Sequence, residues 1–185
     1  MNNENYIKDF KKANTELMLY MLSKDGGLAP VITVLVKNKE EQINVAVFPV
    51  PSEFLEDDDS KDKLAKQIPS LFAHLVKTGQ EPICFSWSSE AWLRKAPEGL
   101  KKVPKNWKDL PKIECLISTY ESKDESLMEI HEMVREGKMA NENGELIDAI
   151  SLKPYPFGDE NVKKTEGRFG NLFEEYYKMK QDGEL

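Results

Sequence analysis

Two stretches in which apolar and polar residues alternate constrain the fold of this chain most strongly. Residues 82–94 (PICFSWSSEAWLR) alternate apolar with small polar or charged side chains, and residues 112–121 (KIECLISTYE) do so more loosely. A period of two with aromatic and β-branched residues is typical of a strand with one face on a core. The two stretches are therefore predicted to form the central pair of one antiparallel sheet.

The other periodic segments predict a mixture of helices and strands. Apolar residues at three- and four-residue steps predict helices at residues 5–22, 60–77 and about 169–177, and shorter runs predict strands at 31–36, 43–48, 127–135 and 144–152. Pro69 predicts a kink or a new start within the second helix. Together these patterns predict a single α+β domain of residues 1–185. It has an antiparallel sheet of about five strands, two main helices packed on one face, a short C-terminal helix and a frayed tail at residues 178–185.

Residues 127–135 fit two templates. Leu127, Ile130 and Val134 have the spacing of a helix, whereas Met128, Ile130 and Val134 have the spacing of a strand. The preceding turn is short and Gly137 follows the segment. These neighbours favour a third strand of a meander.

The composition sets limits on the function. A formal net charge of −7 argues against bulk affinity for nucleic acid or anionic membranes, because both depend on a positive field. No apolar run approaches the roughly 18 residues of a membrane span, and residues 1–5 do not resemble a signal peptide. Cys84 and Cys115 fall inside predicted strands, where a disulfide is conceivable but not implied. These features predict a cytoplasmic protein with reduced thiols.

An acidic segment precedes the second helix. Residues 53–62 contain six acids and one lysine, and Asp57, Asp58 and Asp59 are consecutive. Hard cations bind clustered oxygens, so a metal-dependent hydrolase is one hypothesis, although the EF-hand spacing is absent. The competing interpretation is a solvated helix start, where acids favour the positive end of the helix dipole.

A basic, tryptophan-flanked loop is the most unusual feature. Residues 94–112 carry seven basic and two acidic residues, a net charge of +5 in an acidic chain. Cations between aromatic rings suit single-stranded nucleic acid or an acidic peptide. Three prolines also fit an ordinary irregular loop, and the basic run could lie against the acidic segment. The candidate interaction surface comprises Glu90, Trp92, Arg94, Lys101, Lys102, Lys105, Trp107 and Tyr120, with Glu90 and Tyr120 on an exposed sheet face.

No catalytic constellation is recognisable. A nucleophilic cysteine needs a base within hydrogen-bond reach, and the only histidines are His74 and His131. His131 could neighbour Cys115 if their strands pair, but nothing places the pair in a cleft. His131 and Glu132 begin a zinc-protease helix motif, yet Arg135 replaces its second histidine. We assign no catalytic residue, metal ligand or cofactor.

The strand ending Ser89-Glu90-Ala91-Trp92 resembles that of uncharacterised bacterial and phage-borne proteins. The similarity covers residues 82–135, and the charged loop departs from it in length and composition. The resemblance implies no activity, but it favours an accessory protein of a mobile element. The sequence therefore predicts a non-enzymatic interaction protein that binds an unknown protein partner or itself. Nucleic-acid binding through residues 94–112 and a metal-dependent hydrolase remain alternatives.

Overall fold

The computed structural model describes residues 3–95, 105–123, 125–155 and 172–183. Three α-helices and six strands occupy these ranges, so the predicted α+β class is confirmed. The helices are α1 (Asn3–Asp25), α2 (Asp58–Lys77) and α3 (Leu172–Gln181). The strands are β1 (Val31–Asn38), β2 (Ile43–Pro49), β3 (Gln80–Arg94), β4 (Lys112–Ser122), β5 (Ser126–Ala140) and β6 (Leu146–Pro154). Short 3-10 turns lie at Ser52–Phe54 and Trp107–Asp109.

The six strands form one antiparallel sheet in the order β2-β1-β3-β4-β5-β6. β3 and β4 lie at its centre, as the alternation of residues 82–94 and 112–121 predicts. The ambiguous segment 127–135 is a strand, because β5 pairs along β4 from Glu121↔Ser126 to Cys115↔Glu132.

The two main helices cover opposite faces of the sheet, so the prediction that they share one face is wrong. Ile32 and Val34 of β1 belong to the core cluster of α2 and α3, whereas Val31 and Leu35 belong to clusters with α1. Successive side chains of a strand point to opposite faces. We refer to the two sides as the α2 face and the α1 face. Residues 31–36 of β1 are apolar apart from Thr33 and all six are buried, as expected for a strand with both faces covered.

Aromatic side chains form the core on the α2 face. The ring of Phe72, from α2, lies 5.5 Å from that of Phe85 of β3, 5.2 Å from Phe173 and 5.6 Å from Tyr176, both of α3. The rings of Phe85 and Phe173 are stacked at 6.1 Å. Phe72 of α2 therefore contacts both the sheet and α3, and it lies where the two helices pack on β3.

α2 continues through Pro69 as one helix, so the predicted new start at this residue is wrong. Pro69 lies on the buried side of the helix. α3 extends to Gln181, with Lys178 Nζ 3.2 Å from Glu174 and Lys180 Nζ 2.9 Å from Glu81, and fraying of residues 178–185 stays a prediction. None of the described helices is long and apolar enough to cross a bilayer.

Candidate interaction surface

The end of the β3–β4 hairpin is not paired with a third strand. β1 pairs with β3 only as far as Ser88, and β5 pairs with β4 only from Cys115. The last described pairs of the hairpin, from Trp92↔Glu114 to Arg94↔Lys112, are therefore not hydrogen-bonded to a third described strand through the backbone. We call this two-stranded part of the hairpin, with the adjoining residues 95 and 105–111, the projection.

Side-chain and backbone hydrogen bonds fix the chain at the end of this projection. Arg94 Nη1 donates to the carbonyl of Leu110 at 2.7 Å, and the Leu110 N–H donates to the carbonyl of Trp107 at 3.2 Å. The Lys95 N–H donates to the Pro111 carbonyl at 2.9 Å. Arg94 thus holds the segment that carries Trp107 against the end of β3, and it acts as a positioning residue.

The base of the projection is fixed by an arginine of β5. Arg135 donates from Nε and Nη2 to the two carboxylate oxygens of Glu114, each at 2.7 Å, and from Nη1 to the Gly26 carbonyl at 3.0 Å. A two-bond contact between guanidinium and carboxylate is directional as well as strong. It connects β4, opposite Trp92, to β5 and to the end of α1.

The projection displays two tryptophans among lysines. Trp92 is 63% exposed and Trp107 is 45% exposed, and Lys108 Nζ lies 5.9 Å from the centre of the Trp107 ring. The side chains of four lysines in this region are exposed. We define the hairpin-tip surface as Trp92, Lys95, Lys105, Trp107, Lys108 and Lys112. Its charge is +4, and Asp109 is the one acid among the described residues 105–112.

Three of the predicted surface residues are buried or half-buried. Tyr120 is 1% exposed and lies under α1, and the half-buried Glu90 accepts a hydrogen bond from the Leu28 N–H at 2.6 Å. The prediction of an exposed face bearing these two residues is therefore wrong, because α1 covers it. Arg94 is half-buried, with its guanidinium on the Leu110 carbonyl. Lys101 and Lys102 lie outside the described residues.

Tyr120 belongs to a buried polar network centred on Asn14 of α1. Asn14 Oδ1 accepts from the Thr33 hydroxyl at 2.7 Å, and its Nδ2 lies 3.2 Å from the Tyr120 hydroxyl oxygen. Nδ2 also lies 3.1 Å from the Ser88 hydroxyl, which is 2.8 Å from that of Ser118. The sequence shows these small polar residues in alternation, but it does not show that an asparagine on a distant helix covers them.

The acidic segment begins a helix, in agreement with the solvated-helix interpretation. Asp57 is the N-cap of α2, where its Oδ1 accepts from the Ser60 N–H at 2.7 Å. This hydrogen bond lowers the pKa of the Asp57 carboxyl. Asp58 and Asp59 follow in the first turn. In the described part of the chain, no group of three or more histidine, cysteine or acidic side chains is arranged to hold a metal ion.

Cys115 and His131 do not form a catalytic pair. His131 is opposite Leu116, on the α1 face, whereas Cys115, the preceding residue of β4, points to the other face. Cys84 is opposite Ser122 and Cys115 is opposite Ala91, so the two thiols are far apart along β3. Both are buried and free.

We expect neither cysteine to react with a thiol reagent in the folded protein. Burial raises the pKa of the Cys84 thiol and that of Cys115, so each is less ionised near pH 8.5 than an exposed thiol, which is about half ionised there. Titration with Ellman's reagent at that pH should detect two reactive thiols per chain in denaturant and almost none without it. A rapid reaction of the native protein would contradict this burial.

A polar groove lies at the opposite end of the sheet. It has a volume of about 340 Å³ and is lined by residues of α1, the β1–β2 turn, β3 and α3, among them Tyr6, Lys37, Glu81 and Tyr177. Lys37 pairs with Glu41 at 2.8 Å and Lys180 with Glu81 at 2.9 Å. The charges nearest the groove are thus largely neutralised by one another, in contrast to the hairpin-tip surface.

Comparison of the chain with protein-family models, with curated proteins and with solved structures finds no match.

Proposed function

We propose that this chain is a non-enzymatic interaction protein that binds an acidic segment of a protein partner through the hairpin-tip surface. The observation that carries the proposal is the display of two exposed tryptophans among four lysines on a two-stranded projection. Two free, buried cysteines favour a reducing compartment, and we include a cytoplasmic location in the proposal.

The exposed rings supply the apolar part of such an interface. Most of a tryptophan's surface is apolar, and covering the exposed part of Trp92 would remove about 150 Å² from water, worth roughly 3–4 kcal/mol before the costs of association. Tryptophan is enriched among the residues that dominate binding energy. Arg94 reduces the ordering cost, because it fixes the segment of Trp107 before any partner binds.

The charge of the surface selects the chemistry of the partner. The chain has a net charge of −7, so an acidic partner is repelled by the protein as a whole and attracted locally by the lysines of the hairpin-tip surface. A short acidic segment can contact the four exposed lysines, whose local charge is +3 when Asp109 is included, without lying along the acidic remainder. A long polyanion is less well matched to this distribution.

The test measures anisotropy of a fluorescein-labelled peptide rich in glutamate and phenylalanine. We expect the Lys105→Glu/Lys108→Glu variant to bind it at least about tenfold more weakly, a change of about 1.4 kcal/mol. The matched control is Lys63→Glu/Lys66→Glu, which makes the same change of charge on the exposed face of α2. Absent binding, or equal losses in both variants, would overturn the proposal.

Single-stranded nucleic acid is the second candidate, favoured by the same exposed rings, on which bases can stack. A short labelled oligothymidylate in the same titration distinguishes the two. Nucleic-acid binding predicts tighter binding of the oligonucleotide than of the peptide, with a logarithmic salt slope of about −0.7 per phosphate contacted. Weaker binding of the oligonucleotide would support the protein partner instead.

A further inference from the structure

The outer edge of β2 has unused backbone hydrogen-bonding groups. In the β1–β2 ladder, the Asn38 N–H donates to the Gln42 carbonyl at 3.0 Å and the Val50 N–H donates to the Pro30 carbonyl at 2.9 Å. Hydrogen-bonded pairs alternate along an antiparallel ladder, so the even-numbered residues of β2 bond to β1. The N–H and C=O groups of Ile43, Val45 and Val47 therefore point away from the sheet, and no described strand pairs with them.

The side chains of Ile43, Val45 and Val47, which share one face of this edge strand, are apolar. Val45 is 43% exposed and Val47 is 41% exposed, and β2 contains no charged residue, no bulge and a single proline, Pro49, at its last position. Edge strands in soluble proteins are usually protected by charges, bulges or prolines, and in β2 the proline protects only the end of the strand. The opposite edge shows such protection: β6 carries Asp148 and Lys153, and its ladder with β5 is shifted between Arg135 and Lys138.

We infer that β2 pairs with β2 of a second copy of this chain, antiparallel and about a two-fold axis at Val45. In this register Val45 lies opposite its own copy and Ile43 lies opposite Val47. Each of the three pairs exchanges two backbone hydrogen bonds, and the outward groups of all three residues are used. Shifting the register by two residues in either direction loses a pair, because Pro49 has no N–H and Glu41 lies in the turn with a φ of 63°.

The strand is complementary to itself, which favours a second copy over a foreign peptide. The two-fold pairing places Ile43, Val45 and Val47 of both copies on one side as a single apolar strip. Glu41 falls opposite Pro49 of the other copy and Glu40 opposite Val50, so no like charges meet across the ladder. The two six-stranded sheets then continue as one. This inference is independent of the proposed function, because the hairpin tip is not part of β2.

Light scattering after size-exclusion chromatography, from micromolar to near-millimolar concentration, tests the pairing. We expect the wild type to reach twice the 21.2 kDa mass of one chain. Val45→Pro removes an outward N–H that the β1 ladder does not use, and Val45→Lys brings two cations together on the axis. Both variants should be monomeric at the same concentrations.

Two controls show whether the Val45 variants lose the dimer rather than the fold. Unchanged circular dichroism of the Val45 variants shows that the fold is retained. Leu146→Lys is the matched control, since Leu146 is 73% exposed on β6, and this variant should remain dimeric. A monomeric wild type at every concentration, or a dimer that persists in Val45→Pro and Val45→Lys, would overturn the inference.

Discussion

Replacement of Phe72 by alanine is expected to lower the free energy of unfolding by about 3–5 kcal/mol. Phe72 is fully buried on the α2 face, where its ring contacts Phe85 of β3 and Phe173 and Tyr176 of α3. Truncation removes the apolar contact of two helices with the sheet and leaves a cavity that three rigid rings cannot fill. Because the stability of a domain is about 5–15 kcal/mol, the variant loses much of it. Urea unfolding followed by circular dichroism measures the change.

Two milder changes in the same cluster serve as controls. Phe72→Leu keeps most of the buried volume and should lose only about 1–2 kcal/mol. Tyr176→Phe removes a buried hydroxyl that has no hydrogen-bond partner in the described part of the chain, so stability should stay equal or rise by about 1 kcal/mol. A loss below about 1 kcal/mol for Phe72→Ala would contradict the assignment of this residue to the centre of the core.

Replacement of Asn14 by alanine should lower the free energy of unfolding by about 2–4 kcal/mol. Asn14 is buried and bonds to Thr33, Ser88 and Tyr120, which are also buried. Its removal leaves hydroxyl groups without a partner away from water, at about 1–3 kcal/mol for each group that finds no substitute. The same urea titration gives the loss.

The control for Asn14 is Lys8→Ala, at an exposed position of the same helix, which should change stability by less than about 0.5 kcal/mol. Ser88→Ala is then combined with Asn14→Ala in a double-mutant cycle. The double variant should lose less than the sum of the single losses, because two partners of one network are removed together. Additive losses would contradict a direct coupling of these side chains.

The sequence predicts the strands of this fold well because each strand has its own local pattern. Alternation in residues 82–94 identifies β3, and the short turn before residue 127 favours β5 as a strand over a helix. These signals depend on neighbours in the chain. They can therefore be recognised without knowledge of the tertiary contacts.

The same patterns do not predict which faces of the sheet are covered by helices. Ser86 and Ser88 alternate with Phe85 and Trp87, which resembles a strand with one solvent-exposed face, yet α1 covers the serines and Asn14 bonds to them. The prediction that Tyr120 lies on an exposed face is wrong for the same reason. A polar stripe on a strand has the same sequence whether water or a buried amide satisfies it.

The candidate surface is predicted in part. The sequence shows that Trp92 and Trp107 flank a basic loop, and the structure finds both rings exposed on the projection. The roles of Arg94 and Glu90 are not visible in the sequence, because their partners are backbone groups of distant residues, the Leu110 carbonyl and the Leu28 N–H. The charge pattern indicates a candidate surface, and the hydrogen bonds show which of its side chains are already bonded within the fold.

The measurement that tests the central claim most directly is the affinity of the Trp92→Ala/Trp107→Ala variant for the labelled acidic peptide. We predict a loss of at least about thirtyfold, since a tryptophan that dominates an interface contributes 2 kcal/mol or more. Trp87→Phe, which changes the third tryptophan, packed on the α2 face, should bind like the wild type. An affinity of the double variant within about twofold of the wild type, with its fold intact, would contradict the claim that the hairpin-tip surface is the binding site.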